Sequence, residues 1–471
     1  MNILAFIVGI GITTSLGWLL LATIEGRNRV LSTAERVSFA IILGPTFSMF
    51  IVFLCHIAGL TALNLIGFVA PLLTVMLALT IGAWNRGAFH QRLDAHPFVS
   101  TMTYPPWMKI GVLLLCVWTG IKIFAGAYDL VSVPTYWDDS FNNWNMRGKI
   151  FFVTQKLTLE IPAGNGLTTL ADGVGSYPPM LPMMKTWVSV LRGEWTEPLV
   201  NGVHLVWFFG LLSALYLILR RSFDPLLSAL GIWAFVSLPL VLIHGSNPYA
   251  DMFVAAHLLV AVGCLLGIRR SSSANDITTW TKLFYLTLGL LALTKNEALV
   301  LHIPLLILAA VSFDIRRKHL VASAEYRKTI LIGLCLMATF ALPWIYFKWT
   351  HGLTFGNAKS ISGLSISFNA AVPKAIWIHL SHEPNWLLLP LLLPLTLIAA
   401  GKSFWKTPEA VLGAFVIAEI MLQFGIFLFV PSLGTEAINQ TGLSRGLLHI
   451  APLAILLLFF TAKSSITHHQ D

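Results

Sequence analysis

The stretch VSFAIILGPTFSMFIVFLCHIAG, residues 37–59, decides the fold class of this chain. It holds no Asp, Glu, Lys or Arg, and a helix of this length crosses the about 30 Å of hydrocarbon in a bilayer. Similar runs recur through 471 residues that are 56% hydrophobic and 11% charged, whereas soluble domains are about 25% charged. The sequence therefore predicts an all-α, polytopic transmembrane helical bundle.

Thirteen apolar segments are expected to be membrane spans. They are residues 2–24, 37–59, 63–83, 107–127, 198–219, 226–243, 251–268, 281–293, 298–313, 329–347, 386–401, 409–430 and 446–463. The chain then divides into three parts. Residues 1–106 form a unit of three spans, residues 107–347 a core with a large outer loop at 128–197, and residues 348–471 a second outer loop with the last spans.

The distribution of basic residues predicts the orientation. With the N-terminus outside, the threading places 19 of the 30 Lys and Arg on the inner side and 10 on the outer side, and Lys122 falls within a span. Membrane proteins collect Lys and Arg on the cytoplasmic side. The formal net charge of +9 therefore reflects orientation and gives no reason to expect nucleic acid. We expect a multi-pass protein of a bacterial inner membrane with a cytoplasmic C-terminus.

The outer loop 128–197 brings acids, amides and aromatics together, above all in YWDDSFNNW at 136–144. A carboxylate of Asp138 or Asp139, its pKa raised by the other and by partial desolvation, could take a proton from a hydroxyl nucleophile. Two alternatives stay open. Asp at the start of a helix over 140–152 could cap that helix, and the pair could instead bind a divalent metal.

Two further outer segments carry single candidates. Tyr177 lies in GSYPPMLP at 175–182, a rigid turn, and could contact substrate or anchor the loop in the interfacial aromatic belt. Asp251 closes the turn HGSNPYAD at 244–251, where it could cap the next span or act as a second site acid.

Charged residues also stand close to or inside the apolar runs. Lys295 and Glu297 lie between two such runs, where charge is costly and usually lines a cavity, so Lys295 could bind a phosphate or merely pair with Glu297. Arg445, near His449, could contact an anionic lipid headgroup or anchor its helix. Glu419 lies mid-span and is either functional or part of a buried interhelical hydrogen bond.

The histidines of the second outer loop give little support for a metal site. His379, His382 and Glu383 only superficially have ligand spacing, and the sequence HLSHE matches no established metal motif. The expected cofactor is therefore none, apart from the divalent metal that Asp138 and Asp139 could hold.

In their order and shared outer location, these motifs resemble the GT-C superfamily of polytopic glycosyltransferases. The similar branch contains the protein O-mannosyltransferases and the lipid A aminoarabinose transferase. The resemblance covers roughly residues 107–350 and rests on YWDD (136–139), SYPPMLP (176–182), YAD (249–251) and LTKNE (293–297). One departure is that three further spans precede the span that leads into the large loop.

The resemblance implies a catalytic core at 107–347 that moves a sugar from a polyprenyl-phosphate-linked donor to a lipid, glycan or protein acceptor. Transfer would occur at the outer, periplasmic face with inversion at C1. The acidic residue that the family uses in its first loop carries over to Asp138, with Asp139 beside it. The expected substrate-binding residues are Trp137, Tyr177, Asp251, Lys295, Glu297 and Arg445.

Two other functions stay open at this stage. An O-antigen ligase or polymerase is also polytopic with a large outer loop, and it would rely on Arg445 and His379. A lipid-linked sugar flippase or transporter would instead use Glu419, Lys295 and Glu297 as a pathway through the membrane.

Overall fold

The computed structural model describes residues 3–89, 98–100, 102–136, 139–163, 166–169, 174–314, 323–354 and 365–468. Over these residues the protein is helical apart from one antiparallel hairpin, β1 (Glu160–Ala163) and β2 (Gly166–Thr169). The α-helices are α1 (Ile3–Glu25), α2 (Thr33–Ile57), α3 (Leu65–Asn85), α4 (Pro106–Ser132), α5 (Met146–Thr154), α6 (Met180–Arg192), α7 (Glu197–Arg220), α8 (Pro225–Ser237), α9 (Pro239–Gly245), α10 (Asp251–Arg270), α11 (Ala274–Leu291), α12 (Ile303–Asp314), α13 (Ala324–Thr350), α14 (Val372–Ser381), α15 (Leu389–Phe404), α16 (Ala410–Phe429), α17 (Pro431–Ile438) and α18 (Leu443–His468).

Nine helices of the described chain are long and apolar enough to cross a membrane. They are α1, α2, α3, α4, α7, α10, α13, α16 and α18. The pair α8 and α9 would make a tenth span, although it bends by 82° at Pro239, which cannot continue the hydrogen bonding of α8. The protein is thus a multi-pass membrane protein.

The prediction of thirteen spans is not confirmed. Two of the remaining predicted segments correspond to shorter apolar helices, Ala298–Phe313 and Leu389–Phe404. A third, 281–293, overlaps the second half of α11, which begins at Ala274. By length and composition alone, the first two helices are too short to count as spans, and α11 is too polar.

The segment between α4 and α7 is more ordered than a polar loop suggests. A π-helical turn (Ser140–Asn145) leads into α5, the hairpin follows, and a short turn (Val174–Ser176) precedes α6. Every residue of α6 from Met180 to Ser189 is buried, and the helix packs against α1, α2, α5 and α7. This segment therefore contributes α6 to the folded core.

Helix α10 lies at the centre of the bundle. Of the 18 residues in its most apolar stretch, 94% are buried, against 6% in the corresponding stretch of the peripheral helix α4. It packs against α7, α11 and α18, while α4 contacts α7 and α8 from one side only. Since a spanning helix exposes apolar side chains to lipid, α4 presents most of its surface to the bilayer.

Ion pairs tie the helices together at the end remote from residue 251. Arg36 Nη2 lies 2.7 Å from Glu25, and Arg270 Nη2 lies 2.9 Å from Glu409. Arg270 ends α10 whereas Asp251 begins it, and twenty residues of helix separate the two ends by about 30 Å. The bundle therefore has two distinct polar ends.

Candidate functional site

Four basic side chains converge on Asp251, the first residue of α10. Its Oδ1 lies 3.1 Å from Lys295 Nζ and 3.1 Å from His449 Nε2. Its Oδ2 lies 3.1 Å from Arg445 Nε and 3.0 Å from His244 Nδ1. The partners come from α18, from the end of α9 and from the turn after α11, so the fold collects them from distant parts of the chain.

Asp251 does not act as a helix cap. The cap residue is Ala250, and no side chain accepts a hydrogen bond from the first turn of α10. The carboxylate is fully buried, and a buried charge is tolerated only when it is well paired. Of the two interpretations of the sequence, the structure therefore supports a carboxylate whose contacts are with basic groups.

Lys295 and Glu297 lie in the turn between α11 and the π-helical turn Ala298–His302. Lys295 Nζ lies 3.3 Å from Glu297 Oε1, so the internal pair exists, but the same ammonium also contacts Asp251. Burial alone would lower the pKa of Lys295, yet the carboxylates of Asp251 and Glu297 raise it above its ordinary value. Burial alone would raise the pKa of Glu297, yet Lys295, His449 and a backbone hydrogen bond together lower it below its ordinary value.

Arg445 links Asp251 to Asp139. Its Nη1 lies 2.6 Å from Asp139 Oδ2, while Nε is bonded to Asp251. Asp139 directly precedes the π-helical turn at Ser140 but makes no capping hydrogen bond, so the cap interpretation does not hold for it. Asp138 and Trp137, which the sequence also indicated, lie outside the described residues.

Aromatic rings line the same cluster. The Tyr177 ring centroid lies 5.9 Å from Lys295 Nζ and 5.6 Å from the ring of Trp144. Glu297 is the main reason that the pKa of Tyr177 is raised, followed by burial. Tyr177 thus keeps its proton and can donate a hydrogen bond. On the other side of the cluster, the guanidinium of Arg445 lies 4.9 Å from the ring of Tyr249.

The sequence did not point to three buried cations beside the cluster. Arg147 Nη2 donates to the Tyr177 carbonyl at 2.9 Å, while its Nε and Nη1 have no hydrogen-bond partner in the described structure. Burial lowers the pKa of Arg147 to about 9. Lys348 donates to Asn296 Oδ1 at 3.1 Å, and Lys185 donates to Asn145.

These cations and His244 share one feature of the sequence that a search for motifs does not detect. A charged side chain inside or beside an apolar stretch is costly, so its presence alone indicates a partner or a ligand. Lys348 lies in the last turn of α13, and Lys185 lies in the buried helix α6. Their positions in the sequence could therefore have marked them.

Among the residues that the structure describes, no group of three or more His, Cys, Asp or Glu is arranged to hold a metal ion. His379 bonds to Glu383 at 3.1 Å and to the Ala437 carbonyl at 2.9 Å, so both ring nitrogens have protein partners. The other metal hypothesis, a site on Asp138 and Asp139, falls partly outside the described residues.

The fold and this cluster define a class of protein, a multi-pass helical membrane protein with buried charges collected at one end of the bundle. No protein-family model and no curated protein sequence matches the chain. Among solved structures, it is similar to ArnT from Cupriavidus metallidurans, whose crystal structure has bound undecaprenyl phosphate. The identity is 16% and the TM-score 0.52, over 74% of this chain and 60% of the ArnT chain. This likeness confirms the expected resemblance at the level of the fold.

Proposed function

We propose that the protein is a membrane glycosyltransferase that takes a sugar from a polyprenyl-phosphate carrier and passes it to an acceptor hydroxyl at the outer, periplasmic face. One observation carries the proposal beyond the ArnT-like fold. Two cations, Lys295 and Arg445, meet at the buried Asp251, and Arg445 also contacts the acidic residue Asp139. The ligand class comes from ArnT, which is bound to undecaprenyl phosphate, and this chain spans only 60% of that protein.

The two cations are suited to a phosphate group. Arg445 uses Nε and Nη1 for its carboxylate partners, which leaves Nη2 as a donor, and the ammonium of Lys295 carries three donors for two carboxylates. Charge-assisted hydrogen bonds of this kind are shorter and stronger than neutral ones. Tyr177 adds a neutral hydroxyl beside Lys295.

The proposed reaction is a single displacement. The acceptor oxygen forms its bond to C1 of the sugar while the bond from C1 to the phosphate oxygen breaks, and that electron pair leaves with the phosphate. The proton of the acceptor passes to Asp138 or Asp139 as general base. Lys295 and Arg445 stabilise the charge that develops on the phosphate. Attack from the opposite face inverts C1.

Binding of undecaprenyl phosphate to the purified full chain tests the proposal. Wild-type protein should bind it, and Lys295→Met, which keeps the length of the side chain, should raise Kd about tenfold or more, since a hydrogen bond to a charged group contributes about 1.5–3 kcal/mol. Isothermal titration calorimetry in detergent measures both values.

A matched control removes a cation at the same end of the bundle. Arg192 ends α6 and lies 3.2 Å from Glu194, away from Asp251, so Arg192→Met should leave Kd unchanged. Failure of a monodisperse wild-type preparation to bind the carrier would refute the proposal, and an equal loss in both variants would refute the role of Lys295.

A lipid-linked sugar transporter is the second candidate. It is favoured by a buried His–Glu pair within the bundle, since His302 Nδ1 lies 2.7 Å from Glu419 Oε1 and both side chains are fully buried. Intramembrane pairs of this kind mark proton pathways in transporters. The two candidates differ in chemistry, because only the transferase converts a lipid-linked sugar into the free carrier phosphate.

A further inference from the structure

A continuous line of buried side chains leads from Asp251 into the bundle. His449 Nε2 lies 3.1 Å from Asp251 Oδ1, and its Nδ1 lies 3.1 Å from His302 Nε2. His302 Nδ1 lies 2.7 Å from Glu419 Oε1. Each of the four residues is at most 2% exposed. We call Asp251, His449, His302 and Glu419 the relay.

The relay has one more contact than its two neutral imidazoles have N–H protons. Its three contacts join two carboxylates and two imidazoles, and each contact needs one proton to be a hydrogen bond. A neutral imidazole carries a single N–H. Two neutral rings therefore supply two protons for three contacts, which leaves one contact between two lone pairs. A third proton, wherever it resides, completes the line and reduces the formal charge of the relay from −2 to −1.

The far end of the relay is held by Gln423. Its Nε2 lies 3.5 Å from Glu419 Oε2 and donates to the Gly446 carbonyl at 3.2 Å. Gly446 permits this approach between α16 and α18, because a Cβ at this position would lie 2.7 Å from Gln423 Oε1. The relay thus connects three elements, α10, α18 and α16, through the π-helical turn that carries His302.

Charged groups surround the relay at its Asp251 end. The other titratable groups that face this end are Lys295, Arg445, His244, Glu297, Asp139, Tyr177 and Glu436. Lys295 and Arg445 contribute two positive charges, and Asp251, Asp139 and Glu297 contribute three negative ones. Two further cations lie beside these five groups, Arg147, which donates to the Tyr177 carbonyl, and Lys348, which donates to Asn296.

The ligand of the proposed function adds negative charge here, because a phosphate monoester carries about −1.5 to −2 charges at pH 7, and added negative charge favours proton uptake nearby. From the contact that lacks a proton and the charge of this ligand together we infer that the relay takes up one proton when the carrier phosphate binds beside Lys295 and Arg445. Glu419 and His302 are then positioning residues, which act on the phosphate through His449 and Asp251. The inference rests on the proposed function.

Proton uptake is measured directly by calorimetry. Undecaprenyl phosphate is titrated into the full chain at pH 7 in two buffers with different enthalpies of ionisation, and the difference in binding enthalpy gives the number of protons taken up. Wild-type protein should take up close to one proton per carrier. By linkage, its Kd should then rise about tenfold per pH unit over the pH range in which one proton is taken up.

Glu419→Gln is the decisive variant. An amide at residue 419 can donate to His302 Nδ1, so the two neutral rings then satisfy all three contacts without a third proton. The variant should bind the carrier but take up at most half as many protons as wild type. Glu383→Gln is the matched control, since it alters a second His–Glu pair, with the buried His379 and the partly exposed Glu383, and it should keep the wild-type uptake.

The outcomes separate the two proposals. Carrier binding without proton uptake, or equal uptake in wild type and Glu419→Gln, overturns the relay and leaves the proposed function intact, since the phosphate itself would then be the group that titrates. No carrier binding by wild type overturns both. If Glu419→Gln does not fold, His302→Asn interrupts the relay at its other ring and should lose proton uptake in the same way.

Discussion

Both oxygens of Asp251 face basic side chains, and this residue determines how the charges of the cluster are arranged. Lys295 and His449 contact one oxygen, and Arg445 and His244 lie near the other. Removal of one partner of a buried ion pair typically costs about 3–5 kcal/mol, because the other charge is left without compensation. The geometry at Asp251 therefore depends on all of these partners together.

At the same scale, Asp138 and Asp139 are predicted to act in proton transfer. If Asp138 is the base, Asp138→Asn should abolish conversion of lipid-linked sugars to undecaprenyl phosphate. If Asp139 is the base instead, Asp139→Asn should reduce conversion by about 10²-fold or more, the usual loss for a general base. Mass spectrometry of the carrier, in membranes supplied with lipid extract of the producing cells, measures the conversion.

Glu194→Gln provides the control for these two variants, because Glu194 lies at the same end of the bundle and pairs only at the surface with Arg192. It should retain full conversion. If both Asp variants keep wild-type conversion, the assignment of the base is wrong. If wild-type protein itself converts no lipid-linked sugar, the transporter is the better candidate.

At the scale of the elements, two π-helical turns border the site. Ser140–Asn145 begins immediately after Asp139, and Ala298–His302 begins immediately after Glu297 and ends with His302 of the relay. Turns of this type are often found at functional sites, because the extra residue changes the direction of the side chains. Here each turn separates a residue of the cluster from the regular helix that follows.

Close packing of α1 against α2 supports the central helices and yields a prediction. A Cβ on Gly17 would lie 2.7 Å from the Ala40 carbonyl oxygen and from Gly44 Cα, which are backbone atoms that cannot move aside. Gly17→Ala should therefore destabilise the protein by about 1–3 kcal/mol through overpacking. The midpoint of thermal unfolding in detergent measures the change.

Gly11 on the same helix is the matched control. Nothing lies within 4 Å of a Cβ built there, so Gly11→Ala should be neutral or should stabilise by about 0.5–1 kcal/mol, the usual preference of a helix for Ala. Equal midpoints for the two variants would show that α1 and α2 are not packed as closely as described.

At the scale of the molecule, the two polar ends of the bundle differ in chemistry. One end holds the Asp251 cluster, and the other holds structural ion pairs such as Arg36 with Glu25 and Arg270 with Glu409. The sequence predicts that the second end is cytoplasmic, because basic residues are concentrated there. On this topology a lipid-linked donor would meet the cluster from the periplasmic side.

Labelling in intact cells tests this orientation. Glu194 and Ser272 are both exposed and lie at opposite ends of the bundle. A membrane-impermeant maleimide should label Glu194→Cys in intact cells, and Ser272→Cys only after permeabilisation, compared with wild type, in which Cys116 and Cys335 are exposed on helices that face lipid. The reverse pattern would place the cluster on the cytoplasmic side.

The sequence predicted the class of protein well, because an apolar run of sufficient length has a single stable state in a bilayer. The predicted spans are not confirmed where the apolar runs were short, as at 281–293 and 386–401. The sequence singled out four residues for separate reasons. Asp139 belongs to an acidic pair in the outer loop, Asp251 and Arg445 lie at outer ends of spans, and Lys295 lies between apolar runs, where charge is costly. Their catalytic and binding roles stay predictions, as does that of Asp138.

What the sequence determined by itself is therefore the membrane class and a short set of polar residues that need partners. The tertiary structure decided which residues become those partners. Asp251 and Arg445 are 194 positions apart, and His302 and Glu419 are 117 apart, so local spacing contains no information about their contact. Such contacts arise from helix packing, in which buried charges must find opposite charges because lipid and protein interior offer them no water.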